Sequence, residues 1–206
     1  MTINTPEIAP EIRYHHGNLR KTLLNEAGVL IAEQGIETLS LRKLAEKVGV
    51  SRTAAYHHFK GKDDLLCAIA AESFRSRRER LISQLKGSQL SEREKLNHYV
   101  CDYMSFATCN PEEYELMFGR CIWKQSTCTQ ELQDIAYATF QYQVGMVEHW
   151  QRIGLLSGDS PVKTAQILWG TLHGIAKLFI DGIYTDVTRV EEIALGALPM
   201  FIAPSD

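Results

Sequence analysis

The chain has 206 residues, of which 45% are hydrophobic and 23% charged, and these values exclude a disordered, collagenous or low-complexity protein. Its net charge of −3 is unevenly distributed, because residues 11–62 carry nine Lys or Arg against five Asp or Glu, whereas residues 63–206 carry thirteen against nineteen. A small basic segment beside an acidic remainder favours a nucleic-acid-binding domain attached to a unit with another task.

The first part of the chain is predicted to form three short helices. Residues 1–13 contain two prolines and no periodicity, and we interpret them as an arm. Within residues 14–62, Ser40 and Ser51 stand where N-terminal caps are expected. Gly49 stands between the second and third helices, where a C-terminal cap needs a left-handed residue.

A longer helix is predicted over residues 63–87, and the remaining residues, 88–206, are helical as well. Start signals for these later helices occur at Ser91, at Ser160–Pro161 and at Thr188, where a serine or threonine precedes an acidic residue or a proline. Strand patterns are scarce. We therefore expect an all-α protein of about nine helices, in which residues 63–87 connect an N-terminal domain to a C-terminal helical bundle.

The second and third predicted helices have the pattern of a helix-turn-helix. They meet at Val48–Ser51, a short turn that contains glycine, and such a turn sets two helices at a wide angle. A helical hairpin inside a core is the alternative, but it would need an apolar short helix, and Arg52, Thr53 and His57 are polar. The pattern therefore predicts a DNA-binding domain whose second helix enters the major groove.

The chemistry of the residues at the start of that helix suggests their roles. The guanidinium of Arg52 suits the O6 and N7 acceptors of guanine, Thr53 can bond a base edge or a phosphate, and Ala54 can contact a thymine methyl. Ser40 and Ser51 are expected to cap helices with hydroxyls that also face phosphate.

At this point the chain resembles a known family. From Tyr14 to about Ile69 it is similar to the N-terminal domain of TetR-family transcriptional regulators, and a second segment resembles the WHG-type C-terminal domain found in some of them. The matching residues are Leu44-Ala45, Gly49-Val50-Ser51, Tyr56-His57-His58-Phe59, Lys60-x-Lys62-x-x-Leu65-Leu66 and, in the second segment, Leu168-Trp169-Gly170-x-x-His173-Gly174.

The resemblance implies an all-α homodimer that binds operator DNA, with a divergent C-terminal domain for ligand binding and dimerisation. It also implies that Arg42 reads a base or contacts a phosphate. The family's contacts to the DNA backbone correspond to Tyr56, His58, Lys60 and Lys62. His57 replaces the aromatic residue often found at its position, and we include it among the candidate DNA contacts.

The C-terminal part is rich in aromatic residues, which are most simply explained as core. A helical bundle of this kind also offers a site for an apolar ligand between its helices. We expect the pocket for a small apolar or aromatic effector to be lined by Tyr103, Phe106, Met117, Phe118, Trp123, Tyr137 and Trp169. The clustered arginines at positions 75, 77, 78 and 80 are interleaved with glutamates, which indicates a solvated, salt-bridged face rather than a DNA contact.

The predicted helix that begins at Pro161 is apolar on more than one face. A helix that can expose neither face is buried twice, against its own bundle and against a partner subunit. We therefore assign the dimer interface to this helix together with the last predicted helix, from Glu191 to about Phe201. The contacts on the first of the two are expected from Ala165, Leu172, Ile175 and Phe179.

Two other functions remain as alternatives. An enzyme could use His173, His149, Asp134 and Glu148 as acid–base groups, but we find no catalytic motif and expect no catalytic residue, no cofactor and no metal site. An architectural DNA-binding protein without an effector is the second alternative. The cysteines form no Cys-x-x-Cys pair, no secretory signal begins the chain, and no apolar run reaches about 18 residues. We expect a cytoplasmic protein associated with the nucleoid and not with a membrane.

Overall fold

A computed structural model of the chain describes residues 19–123 and 128–203. Within these residues helices dominate, and the extended structure is one isolated bridge between Leu156 and Ile202. The helices are α1 (Leu19–Gln34), α2 (Leu41–Val48), α3 (Arg52–His58), α4 (Lys62–Leu85), α5 (Glu92–Cys109), α6 (Pro111–Phe118), α7 (Arg120–Trp123), α8 (Gln130–Arg152), α9 (Pro161–Ile180) and α10 (Val190–Gly196). Of the ten α-helices in this part of the chain, α7 has four residues, about one turn, and the other nine are longer. The prediction of an all-α protein of about nine helices is confirmed. The arm predicted over residues 1–13 lies outside the described residues.

Local signals determine the ends of the helices in the N-terminal domain. The hydroxyl of Ser40 accepts a hydrogen bond from the Lys43 N–H at 3.2 Å, and that of Ser51 accepts one from the Ala54 N–H at 3.1 Å. Between them Gly49 takes a φ of 75°, which L-residues with a side chain rarely adopt. Ser40 therefore begins α2, and Gly49 and Ser51 end α2 and begin α3 within one short turn.

The start signals of the later helices are confirmed in part. Ser91 forms a complete capping box with Glu94 at the start of α5, and the hydroxyl of Ser160 caps α9. The predicted capping box at Thr188 is wrong. Its N–H is hydrogen-bonded to a carboxylate oxygen of Asp186 at 3.2 Å in a 3₁₀ turn, and α10 begins only after that turn.

The long helix α4 connects the two parts of the molecule. It packs against α1 near its N-terminus and against α8 and α6 further along, while α5, α8, α9 and α10 pack on one another. Buried side chains from Leu19 to Phe201 form one continuous hydrophobic cluster through both parts. None of the described helices is long and apolar enough to cross a membrane.

Candidate nucleic-acid interface and ligand cavity

The third helix, α3, has one buried and one exposed face. Ala55 is buried within it, and Phe59, just after its last residue, is buried beneath it. The exposed side chains are polar or aromatic: Arg52, Thr53, Tyr56 and His57, with Ala54 and His58 half-buried at the margin. The structure therefore brings the predicted DNA contacts of α3 together on one accessible surface, as base reading in a groove requires.

The two arginines among the predicted DNA contacts share one carboxylate in this structure. Nε of Arg42 donates to Oε1 of Glu46 at 3.1 Å, and Nη2 of Arg52 lies 3.8 Å from the same oxygen. All three side chains are more than half exposed, so each ion pair contributes only about 0–1 kcal/mol. Both guanidinium groups can therefore leave Glu46 and contact DNA with only a small loss of free energy.

The two lysines that follow α3 are placed differently. Lys60 is exposed, whereas Lys62 is half-buried and its ammonium donates to the backbone carbonyl of Glu37 at 3.2 Å. Lys62 thus ties the start of α4 to the 3₁₀ turn that precedes α2. A phosphate contact by Lys62 remains a prediction. In the structure its hydrogen bond to Glu37 also holds the start of α4 against this turn.

A cavity of about 350 Å³ lies between α4, α5, α8 and α9, beside α6 and α7. Its volume is at the lower end of the range of small-molecule sites, about 300–1,000 Å³. Five of the seven residues predicted for an effector pocket line it: Tyr103, Met117, Phe118, Trp123 and Trp169. The other lining residues include Phe74, Arg77, Arg78, Leu81, Tyr99, Thr139, Phe140, Tyr142, Gln143 and His173.

Two predicted pocket residues are not part of the lining. Tyr137 is 65% exposed on α8; its neighbour Ala136 faces the cavity, and successive helical residues point about 100° apart. Phe106 is buried, but its ring packs against the guanidinium of Arg77, whose Cζ lies 4.0 Å from the ring centroid. Assigning either residue to the cavity wall is therefore wrong.

A chain of hydrogen bonds crosses the cavity wall. The indole N–H of Trp169 donates to the Tyr103 hydroxyl at 3.1 Å, the hydroxyls of Tyr103 and Tyr114 are 2.8 Å apart, and the Tyr114 hydroxyl lies 2.6 Å from Nδ1 of His173. Burial, followed by the charge of Lys177, lowers the pKa of His173. The indole of Trp169 only donates, so the Tyr103 oxygen accepts from it, whereas the direction of the other two hydrogen bonds depends on the tautomer of His173.

Arg77 is the functional candidate that sequence reasoning missed. Its side chain is only 15% exposed, and Nη2 donates to Oδ2 of Asp102 at 3.0 Å. Burial lowers the pKa of the Arg77 guanidinium, while Asp102 acts in the opposite direction. The interpretation of this arginine cluster as wholly solvated is therefore wrong for Arg77, although Arg75 does form exposed pairs with Glu72 and Glu131.

The predicted subunit contacts on α9 need correction. Ala165, Leu172 and Phe179 are buried inside the protomer, and Ile175 is half-buried. The first three cannot form the interface, because they already pack in their own bundle. The exposed face of α9 instead contains Ile167, which is 61% exposed, and two glycines at positions 170 and 174.

No group of three or more potential ligand side chains gathers into a metal site within the described ranges. His173 and His149 lie on different helices, and His149 pairs with Glu92. Of the acid–base groups considered for an enzyme, His173 lines the cavity, and His149, Asp134 and Glu148 are not among its lining residues.

The family follows from two sequence matches. Residues 23–69 match the model of the bacterial regulatory proteins of the tetR family, and residues 96–198 match the model of the tetracyclin repressor-like C-terminal domain. The chain belongs to the TetR family. Members of this family are DNA-binding transcriptional regulators, so the enzyme alternative is set aside.

Individual relatives support the same assignment. A transcriptional repressor of Mycobacterium tuberculosis is 38% identical over 58 residues, which are 28% of this chain and 31% of that protein. The chain thus spans about three tenths of the length of this curated relative. A protein of unknown function from Rhodococcus sp. RHA1 is 29% identical, with a TM-score of 0.78 over 94% of this chain and 100% of its own. A transcriptional regulator from Saccharomonospora viridis, solved with choline, has 18% identity and a TM-score of 0.74 over 92% of this chain and 100% of its own, which shows the shared fold.

Proposed function

We propose that this TetR-family regulator represses transcription by binding a near-palindromic operator as a homodimer, and that a small molecule in the cavity releases it. The proposal is supported chiefly by α4, which extends from the helix-turn-helix domain to the cavity. Its first residue, Lys62, is hydrogen-bonded to the helix-turn-helix domain, and its later residues Phe74, Arg77 and Leu81 line the cavity.

Because α4 is long, the same helix reaches both the helix-turn-helix domain and the cavity. Phe74 lies twelve residues after Lys62, a distance of about 18 Å at about 1.5 Å per residue. A ligand that wedges between α4 and the facing helices can tilt α4 about its packing contacts and move α3 with it. The ligand must bind the DNA-incompetent arrangement more tightly, and the operator then weakens ligand binding by the same factor.

The exposed face of α9 supports the dimer. Ile167, Gly170 and Gly174 are exposed and recur at spacings of three and four residues, so they lie on one stripe. An added Cβ would meet no atom within 4 Å at either glycine, which leaves this surface open to a partner helix. A second copy would cover this stripe across a two-fold axis.

The alternative is an architectural protein that covers DNA without sequence preference. In vitro selection of bound DNA sequences from a random pool distinguishes the two. We expect enrichment of a near-palindrome whose half-sites are about 34–36 Å apart, one helical turn, or a multiple of that distance. Recovery of the pool without enrichment would favour the architectural alternative. As a regulator of transcription the protein would act on the nucleoid in the cytoplasm.

A further inference from the structure

The charged groups that line the cavity all belong to basic residue types. Among the described lining residues are two arginines, Arg77 and Arg78, and His173, and none is an aspartate or glutamate. Most of the remaining lining side chains are aromatic or aliphatic. A cavity with apolar walls, cationic groups and no carboxylate concentrates a positive potential, because its low dielectric screens charge poorly.

The charge of Arg77 is only partly neutralised. Its counter-ion, Asp102, also accepts from Nη2 of Arg80 at 2.9 Å, so two guanidinium groups share one carboxylate. The second terminal nitrogen of Arg77, Nη1, is buried and has no hydrogen-bond partner among the described residues. The guanidinium is stacked near the rings of Phe106 and Tyr103, neither of which offers that nitrogen an acceptor.

Arg78 is the second guanidinium-bearing residue of the lining. The uncharged polar side chains of the wall include Thr139, Tyr142 and Gln143, none of which is an ionised acceptor. A ligand in the cavity is therefore surrounded by aromatic side chains and two arginines, without a lining carboxylate to offset their charge.

We infer that the cavity binds a small carboxylate with a flat aromatic body, whose negative charge is attracted by Arg77 and Arg78 and whose rings pack against the aromatic wall. This inference rests on the proposed function only in giving the ligand an effector role. Choline, which occupies the related structure from Saccharomonospora viridis, is a cation and would meet arginines here without a lining carboxylate.

Calorimetric titration of the full chain with three naphthalene probes tests the inference. The probes are 2-naphthoate, its neutral amide 2-naphthamide, and trimethyl(2-naphthylmethyl)ammonium, which share one aromatic body and differ in charge. A charge-assisted hydrogen bond changes affinity by roughly tenfold to a hundredfold, so we expect naphthoate to bind at least about tenfold more tightly than the amide and the ammonium probe to bind weakest. Equal or tighter binding of the amide or the ammonium probe, or no naphthoate binding at millimolar concentration, overturns the inference.

A pair of variants locates the anion. Arg77→Gln removes one of the two arginines of the cavity wall. Arg80→Gln removes the other partner of Asp102, and Arg80 does not line the cavity. We expect Arg77→Gln to weaken naphthoate binding about tenfold or more and to leave amide binding nearly unchanged, with Arg80→Gln like wild type. Circular dichroism shows whether each variant folds. Should Arg77→Gln not fold, Arg78→Gln and the three-probe comparison on wild-type protein still decide the charge preference.

Equal losses for the acid and the amide, or equal effects of the two variants, would contradict recognition by Arg77. The titrations contain no DNA, so their failure leaves the operator-binding proposal intact. Conversely, failure to select an operator leaves the measured anion preference of the cavity intact.

Discussion

Replacing Arg52 with alanine separates base reading from general attraction to DNA. In the unbound protein Arg52 has only an exposed ion pair with Glu46 at 3.8 Å, and giving up such a pair costs about 0–1 kcal/mol. A bidentate contact to guanine contributes about 1–3 kcal/mol of discrimination. The net effect of Arg52→Ala on the selected operator is therefore a loss of roughly fivefold to a hundredfold in affinity, with only a small loss on random DNA.

Fluorescence anisotropy with labelled operator and random duplexes, at two salt concentrations, measures both effects. Glu46→Gln is the matched control, because it removes the carboxylate that competes for Arg42 and Arg52. We expect this variant to bind both duplexes more tightly, since repulsion of phosphate is independent of sequence. Equal losses on both duplexes for Arg52→Ala, or weaker operator binding by Glu46→Gln, would refute this division of roles.

Three further predictions concern the body of the protein. Asp102→Asn leaves Arg77 buried without a counter-ion and should lower the free energy of unfolding by about 3–5 kcal/mol, measured by urea denaturation. Burial lowers the pKa of His173 in the folded protein. The stability that the neutral ring contributes is therefore present above the pKa of an unfolded histidine, about 6.5, and is lost as the pH falls through the lower pKa of the folded state. His173→Gln should make the fall in Tm between about pH 7 and 5 less steep. Ile167→Glu should turn the dimer into a folded monomer in light scattering, because a charge would be buried at the subunit contact.

Each of these predictions has a control. Arg80 is half exposed and pairs with the same carboxylate, so Arg80→Gln is the control for Asp102→Asn. A loss of unfolding free energy in Arg80→Gln as large as in Asp102→Asn would contradict the argument from burial. A His173→Gln protein with the wild-type pH profile would remove His173 as the titrating group. Val29→Glu places the same charge on an exposed position of α1, so dissociation by both glutamate variants would show that Ile167 has no special place in the interface.

The helix-turn-helix could be predicted because its signals are local. Ser40, Gly49 and Ser51 act on the backbone within three or four residues of themselves, and the structure uses each as expected. The role of Arg77 could not be read in this way, because its partner Asp102 is 25 residues away on another helix. One available signal was Asp102 itself, which is the only acidic residue of α5 after the first turn.

The faces of α9 could not be assigned from the sequence. Apolar residues surround this helix, so its periodicity predicts burial on two faces without indicating which face packs in the protomer and which would meet the proposed partner. Leu172 and Ile167 are both large and aliphatic, yet the first is buried in the protomer and the second is exposed. The choice depends on the tilt of α9 against α5 and α8, which is a property of the whole bundle.

The stoichiometry of the protein–DNA complex tests the central claim most directly. Sedimentation of the wild-type protein on the selected near-palindrome, at saturating protein and in duplexes of two lengths, gives the mass of the complex. We expect two protomers for each palindrome whatever the length of flanking DNA, because each α3 is proposed to read one half-site. A single bound protomer, or a mass that grows in proportion to duplex length, would contradict it.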